Sequence, residues 1–232
     1  MKKIGLIGGV GPESTIEYYR LIIKQFQDRL MTKDYPAIVI NSINMTEMLK
    51  YVFDNQLDKL VDFLVSEITI LEKAGVDYGA IASNTPHIVF EKVSDRVKIP
   101  LISIVEETCK VINDKKIQRV GLLGTKSTMT KGFYNKIAEK YKIDIVIPET
   151  NKQDYIHDKY MSELVYNRIL PETQKQLIQI VRELKDKESI EALILGGTEL
   201  PLILNQSDFN DIEVLDTTKI HVESIVTKMI EN

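Results

Sequence analysis

Ser83, Asn84 and Thr85 put three hydrogen-bonding side chains in a row, with Pro86 and His87 directly behind them. At the end of a short apolar run, such a cluster can hold a carboxylate or an ammonium group, or it can cap the next helix. A second polar trio, Gly197, Thr198 and Glu199, closes another apolar run. Thr125, Ser127 and Thr128 follow a third run that ends in Gly124, and they can bind a carboxylate at a helix start or only cap it. Gly8-Gly9-Val10-Gly11-Pro12 offers backbone N–H groups, those of Gly9 and Val10 among them, to an anion. The same glycines also suit a tight turn that needs positive φ. As a dinucleotide fingerprint the segment fails. Ser14 stands where the third glycine belongs, and the second strand ends in Asn41 without an acidic ribose partner. Gly121 to Ser127 lacks the Gly-Lys-Ser/Thr ending of a phosphate loop. Small carboxylates therefore fit these turns better than nucleotide phosphates do.

Other reactive residue types point to less. His157 and His221 have no ligand-like neighbour at metal spacing, so both read as structural or surface residues and no metal site is expected. The single cysteine, Cys109, excludes an intrachain disulfide and any zinc site with two or more thiolates. It falls within an apparent helix, where a buried inert thiol is expected. Spacing alone establishes neither a Ser-His-Asp order nor a carboxylate pair.

With 30 Lys+Arg against 34 Asp+Glu, the formal net charge of −4 gives no electrostatic footprint for nucleic acid or an anionic membrane. No apolar stretch approaches the roughly 18 residues that span a bilayer. The N-terminal apolar run gives way to the glycine turn before it reaches the length of a signal-peptide core. A cytoplasmic protein without membrane or nucleic-acid partners is expected.

Short Val- and Ile-rich runs alternate with amphipathic stretches, the rhythm of parallel strands covered by helices. Lys3 to Ile7 reads as the first strand, and Pro12 suits the first position of a helix. Ile16, Tyr19, Ile23, Phe26 and Leu30 recur at helical steps and predict one buried face. Ala37 to Ile40 and Tyr78 to Ala82 read as further strands, and Leu57, Leu60, Val61, Leu64, Ile68 and Leu71 mark another helix. The plan then repeats. Ile4-Gly5-Leu6-Ile7-Gly8 returns as Val120-Gly121-Leu122-Leu123-Gly124, and Ala80-Ile81-Ala82-Ser83 as Ile194-Leu195-Gly196-Gly197. Pro100-Leu101-Ile102-Ser103 returns as Glu213-Val214-Leu215-Asp216. Three matches in order, offset by nearly half the chain, argue for duplication. The expected fold is α/β: two pseudo-symmetric lobes, each a parallel sheet flanked by helices, with the active cleft between them. The first lobe is expected to span 1–99 plus about 208–232, with the C-terminal strand and helix returning to it. The second spans about 100–207. Ligands of open parallel sheets gather beyond the carboxyl ends of the strands. The candidate segments there are 9–15, 41–47, 83–87, 125–128 and 197–199.

These motifs resemble the aspartate/glutamate racemase family over essentially the whole chain. The resemblance rests on Ile4 to Gly9 with Glu13-Ser14-Thr15 and Tyr18-Tyr19, on Ser83 to His87, on Gly121 to Thr125, and on Thr198-Glu199-Leu200-Pro201-Leu202. It implies a cofactor-independent homodimer that interconverts L and D amino acids by Cα proton transfer. A small amino acid or dicarboxylate would be the ligand. The family's usual pair of catalytic cysteines maps onto Ser83 and Gly197, and glycine has no side chain to move a proton. The resemblance further implies that Asn84, Thr85, Thr198 and Glu199 hold the substrate's carboxylate and ammonium groups. The segments that would recognise an aspartate side chain read Asn44 to Glu47 and Val165 to Asn167, without the expected Arg or Lys. Two other readings stand beside this one: a catalytically silent small-carboxylate or amino-acid binding protein of the same fold, and an engineered inactive variant.

Overall fold

The computed structural model describes residues 1–231. The chain divides into two compact units, one formed by Met1–Ile104 with the residues from Thr218 onward, the other by Val105–Thr217. In the first unit the elements run β1 (Ile4–Gly8), α1 (Pro12–Leu30), β2 (Ile38–Ser42), α2 (Met45–Phe53), α3 (Leu57–Lys73), β3 (Tyr78–Ile81), α4 (Phe90–Ser94) and β4 (Leu101–Ile102). Then follow α5 (Ile104–Asp114), β5 (Arg119–Gly124), α6 (Lys126–Thr130), α7 (Phe133–Ala138), β6 (Asp144–Val146), α8 (Thr150–Ser162), α9 (Pro171–Glu188), β7 (Ala192–Gly196), β8 (Glu213–Asp216) and α10 (Thr217–Ile230).

Each unit is built on a four-stranded sheet, ordered β2-β1-β3-β4 in one and β6-β5-β7-β8 in the other, with every pairing parallel. The shared order agrees with the repeat in the sequence. β1 and β7 are buried along their whole length, as strands covered on both faces must be. In the first unit Ile7, Leu60, Leu64, Ile68 and Ile81 build one core layer. Leu6, Ile22, Phe26, Ile102, Val222 and Ile225 build another. Leu123, Ile156, Leu177, Val181, Leu193 and Leu195 pack together in the second unit.

Two expectations need correction. The C-terminal strand does not return to the first unit. β8 pairs with β7, from Ala192 opposite Glu213 to Leu195 opposite Asp216. Likewise β4 pairs with β3 and stays in the first sheet. Ladder hydrogen bonds keep each final strand with its neighbour, so the chain changes unit at the helix after it. α5 beyond Ile104 lies in the second unit, and α10 beyond Thr217 in the first. The crossings thus fall at Ile104/Val105 and Thr217/Thr218, not near Pro100 and Ser207.

The second correction concerns α1. Ile16 is 60% exposed, Tyr19 48% and Leu30 40%, while Ser14, Tyr18, Leu21, Ile22 and Phe26 are buried. Both sets recur at helical steps, so periodicity cannot choose between them. Polar chemistry inside the unit decides it. His221 Nε2 donates to the Ile102 carbonyl at 2.9 Å, which leaves Nδ1 to accept the Tyr18 hydroxyl at 2.8 Å. That buried chain ties α1, α10 and β4 together and turns the Tyr18 side of the helix inward.

Candidate functional site

After β1 the backbone turns at Gly9 (φ +79) and Gly11 (φ +89), and Pro12 opens α1. A β-carbon on Gly9 would lie 2.5 Å from the Ile43 carbonyl oxygen, so the position needs glycine on both counts. Its N–H donates to Thr15 Oγ1 at 2.8 Å, and the Thr15 hydroxyl donates to the Gly11 carbonyl at 3.3 Å. The turn thereby satisfies the Gly9 amide internally. Val10 is buried with Ile7, Ile43 and Met48. In the 41–47 segment, Asn44 Oδ1 caps α2 by accepting the Thr46 and Glu47 amides.

Beyond β3, Ser83, Asn84, Thr85 and His87 are all buried. Thr85–Val89 forms a 3₁₀ turn. Asn84 occupies its N-cap position but makes no side-chain cap bond, so capping does not account for that residue. His87 Nε2 accepts the Ile104 amide at 3.3 Å, which places the ring proton on Nδ1. Its ring stacks on Phe90, with centroids 4.8 Å apart. Burial, reinforced by nearby His221, pushes the imidazole down to about 3. His87 is therefore neutral across the physiological range.

The second unit arranges its strand ends differently. Thr125 N-caps α6: its Oγ1 accepts the Thr128 amide at 3.2 Å and lies 3.0 Å from Thr128 Oγ1. Ser127 is half-buried beside them. Thr125 thus caps the helix, with Thr128 as its partner. Beyond β7, Thr198 and Glu199 are buried, and Glu199 Oε2 accepts the Thr198 hydroxyl at 2.9 Å. The same oxygen accepts the hydroxyl of Tyr160, from α8. A β-carbon built on Gly197 would lie 2.8 Å from Tyr160 Oη and 2.9 Å from its Cζ, so the phenol already occupies the space of a side chain at 197. Burial, together with the Glu199 charge, holds the Tyr160 hydroxyl well above the usual phenol range.

Tyr160 is the residue that the sequence did not reveal. Its four-residue step from Ile156 marks both as inward-facing on a helix, but nothing in the spacing says that its ring ends beside Gly197. Cys109 is fully buried on α5, and burial, with Glu106 nearby, pushes its thiol up to about 12. His157 is half-buried and its Nδ1 lies 3.4 Å from the Lys126 amide. Among the described residues no group of three or more His, Cys, Asp or Glu is placed to hold a metal. No described helix is long and apolar enough to cross a membrane.

Comparison with known proteins identifies the family. The family model for Asp/Glu/Hydantoin racemases matches residues 7–225. The chain belongs to that family. It is 25% identical to the broad-specificity amino-acid racemase RacX of Bacillus subtilis, over 97% of this chain and 96% of the relative. Among solved structures, an aspartate racemase homologue from Pyrococcus horikoshii is 33% identical, with a TM-score of 0.86 over the whole of both chains. One from Yersinia pestis, described as a candidate Asp/Glu racemase, reaches a TM-score of 0.91 at 28% identity, again over the whole of both chains. Two four-stranded parallel sheets flanked by helices are thus the fold that this chain shares with Asp/Glu racemase structures.

Proposed function

We propose that this chain is a cofactor-independent amino-acid racemase acting on a small acidic or related amino acid. One observation carries the reading. At corresponding strand ends of two sheets with the same order, after β3 and after β7, the chain buries Ser83-Asn84-Thr85 and Gly197-Thr198-Glu199. Inverting an amino acid needs one group to remove the Cα proton and another to supply a proton to the opposite face. Positioned acid–base groups contribute typically ~10²–10⁴-fold each. Ser83 stands at the first proton-transfer position and Gly197 at the second. Asn84, Thr85, Thr198 and Glu199 supply hydrogen-bonding groups for the substrate's carboxylate and ammonium. Gly9, Val10, Thr125, Ser127 and Thr128 shape the strand-end turns around the ligand, since Thr15 takes the Gly9 amide and Thr125 Oγ1 takes the Thr128 amide. A homodimer in the cytoplasm belongs to the same reading.

A second reading, a silent binding protein that keeps the ligand site, is favoured by the missing side chain at 197. Proton NMR of the Cα hydrogen of L- and D-aspartate, glutamate and neutral amino acids in D₂O separates the two. Exchange with inversion is the expected result. Absence of exchange across the panel, with a ligand-dependent rise in melting temperature, would establish the binding protein instead.

A further inference from the structure

Resting on that reading, we propose that Tyr160, backed by Glu199, carries the proton at the position that Gly197 leaves without a side chain. The placement comes from three observations within one unit. The phenol oxygen lies 2.8 Å from where a β-carbon at 197 would begin, so it stands at the root of the absent side chain. Its hydroxyl donates to Glu199 Oε2, which also accepts the Thr198 hydroxyl at 2.9 Å. Tyr160, Thr198 and Glu199 are 6%, 7% and 3% exposed, so the trio is shielded from bulk water yet retains an edge of access. An apolar filler at 160 would close the same space without placing a phenol and a carboxyl group together. Burying those two groups has a desolvation cost that packing alone does not require.

Chemistry explains why the pair is suited where neither partner is alone. A phenol raised so far above its usual range cannot serve as a standing phenolate base. It can relay. As the Cα–H bond breaks, its proton passes to Tyr160 Oη, while the phenol's own proton passes to Glu199 Oε2. The C–H electron pair stays on Cα and spreads into the substrate carboxylate. Solvent water then protonates the other face of the carbanion, and the hydroxide formed is neutralised by the proton that Glu199 releases. Tyr160 remains neutral throughout, and Glu199 alternates between carboxylate and carboxylic acid. In the reverse direction hydroxide removes the proton from the other face and becomes water, while Glu199, protonated by the solvent water that gave the hydroxide, passes its proton through Tyr160 to Cα. Tyr160 is the catalytic residue of this step, and Glu199 is the relay partner acting through it.

The test compares deuterium incorporation at Cα from the L and the D enantiomer in D₂O for wild type, Tyr160→Phe and Glu199→Gln, with thermal melts to confirm folding. Phe keeps the ring that fills the space. Gln keeps an acceptor for the phenol but cannot take its proton, so it serves as the second variant if Phe disturbs the core. Each substitution is expected to lower racemisation by ~10²–10⁴-fold. The loss of initial deuterium wash-in should fall unequally on the two enantiomers, because this group faces one side of Cα, while kcat/KM for racemisation falls alike in both directions. A structural role would lower both alike. Wild-type exchange that survives both substitutions, or falls equally from the two enantiomers, overturns the relay and leaves the racemase reading standing. Absence of wild-type exchange on every amino acid tested overturns both.

Discussion

The ends of β3 and β7 occupy corresponding places in two sheets of the same order, yet they hold different proton inventories. After β3 the ionisable side chain is His87, buried and pushed down to about 3, with Ser83 as the nearest strand-end hydroxyl in sequence. After β7 it is Glu199, which receives hydrogen bonds from Tyr160 and Thr198. Repeating a backbone therefore does not repeat its chemistry. The first end has a short side chain and room for it. At the second, glycine gives its space to a tyrosine that arrives from a different helix.

At neutral pH the largest stability contrast is expected from installing cysteine at each end. Gly197→Cys drives a new side chain into the Tyr160 ring and should destabilise the protein by ~1–3 kcal/mol. Ser83→Cys, a near-isosteric change, should stay within about 1 kcal/mol. Urea midpoints of the two variants measure the difference. Adding Tyr160→Ala to Gly197→Cys should relieve much of the first penalty, because the obstacle is the ring itself. Equal midpoints for the two single variants would break the comparison.

Acid sharpens it next. His87 is neutral in the folded protein, with a value of about 3 against roughly 6.5 in the unfolded chain, so the unfolded state binds the proton more readily. Its contribution to stability is complete above about pH 6.5 and is lost as the pH falls from there towards 3. The slope is at most about 1.4 kcal/mol per pH unit. Urea titrations between pH 7 and pH 4 should show wild type losing stability faster than His87→Gln. Parallel curves would mean that the imidazole keeps its proton affinity inside the first unit.

The smallest expected effect is a null. Native Cys109, buried with its thiol pushed up to about 12, should resist alkylation at pH 8 and react promptly in urea. Labelling of the native protein, read by mass spectrometry, would show a reactive thiol in the second unit that its burial does not allow.

Much of this architecture is legible in the residue string. The pairing of Ile4–Gly8 with Val120–Gly124 and of Ala80 with Ile194 announces two sheets, because strands buried on both faces require uninterrupted small and branched apolar residues. Leu60, Leu64, Ile68 and Leu71 declare the inner face of α3 correctly. α1 resists the same treatment, since it carries two apolar stripes and a buried tyrosine–histidine bond selects one of them. The short strand β6 has only three residues, and α2 lies beyond a strand whose exit is marked only by Asn44. Neither is long enough for periodicity to announce it. Of the candidate site, the strand-end positions are readable, but their partners are not.

Local alternation of apolar and polar residues, together with the repeat, was enough to specify a duplicated parallel α/β chain and to mark 83 and 197 as equivalent strand ends. Those properties depend on near neighbours along the backbone. Which sheet the last strand joins, which stripe of α1 turns inward, and which ring fills the space at Gly197 were decided only on folding. Each depends on groups far apart in sequence competing for the same volume and the same hydrogen bonds, and that competition has no signature in spacing.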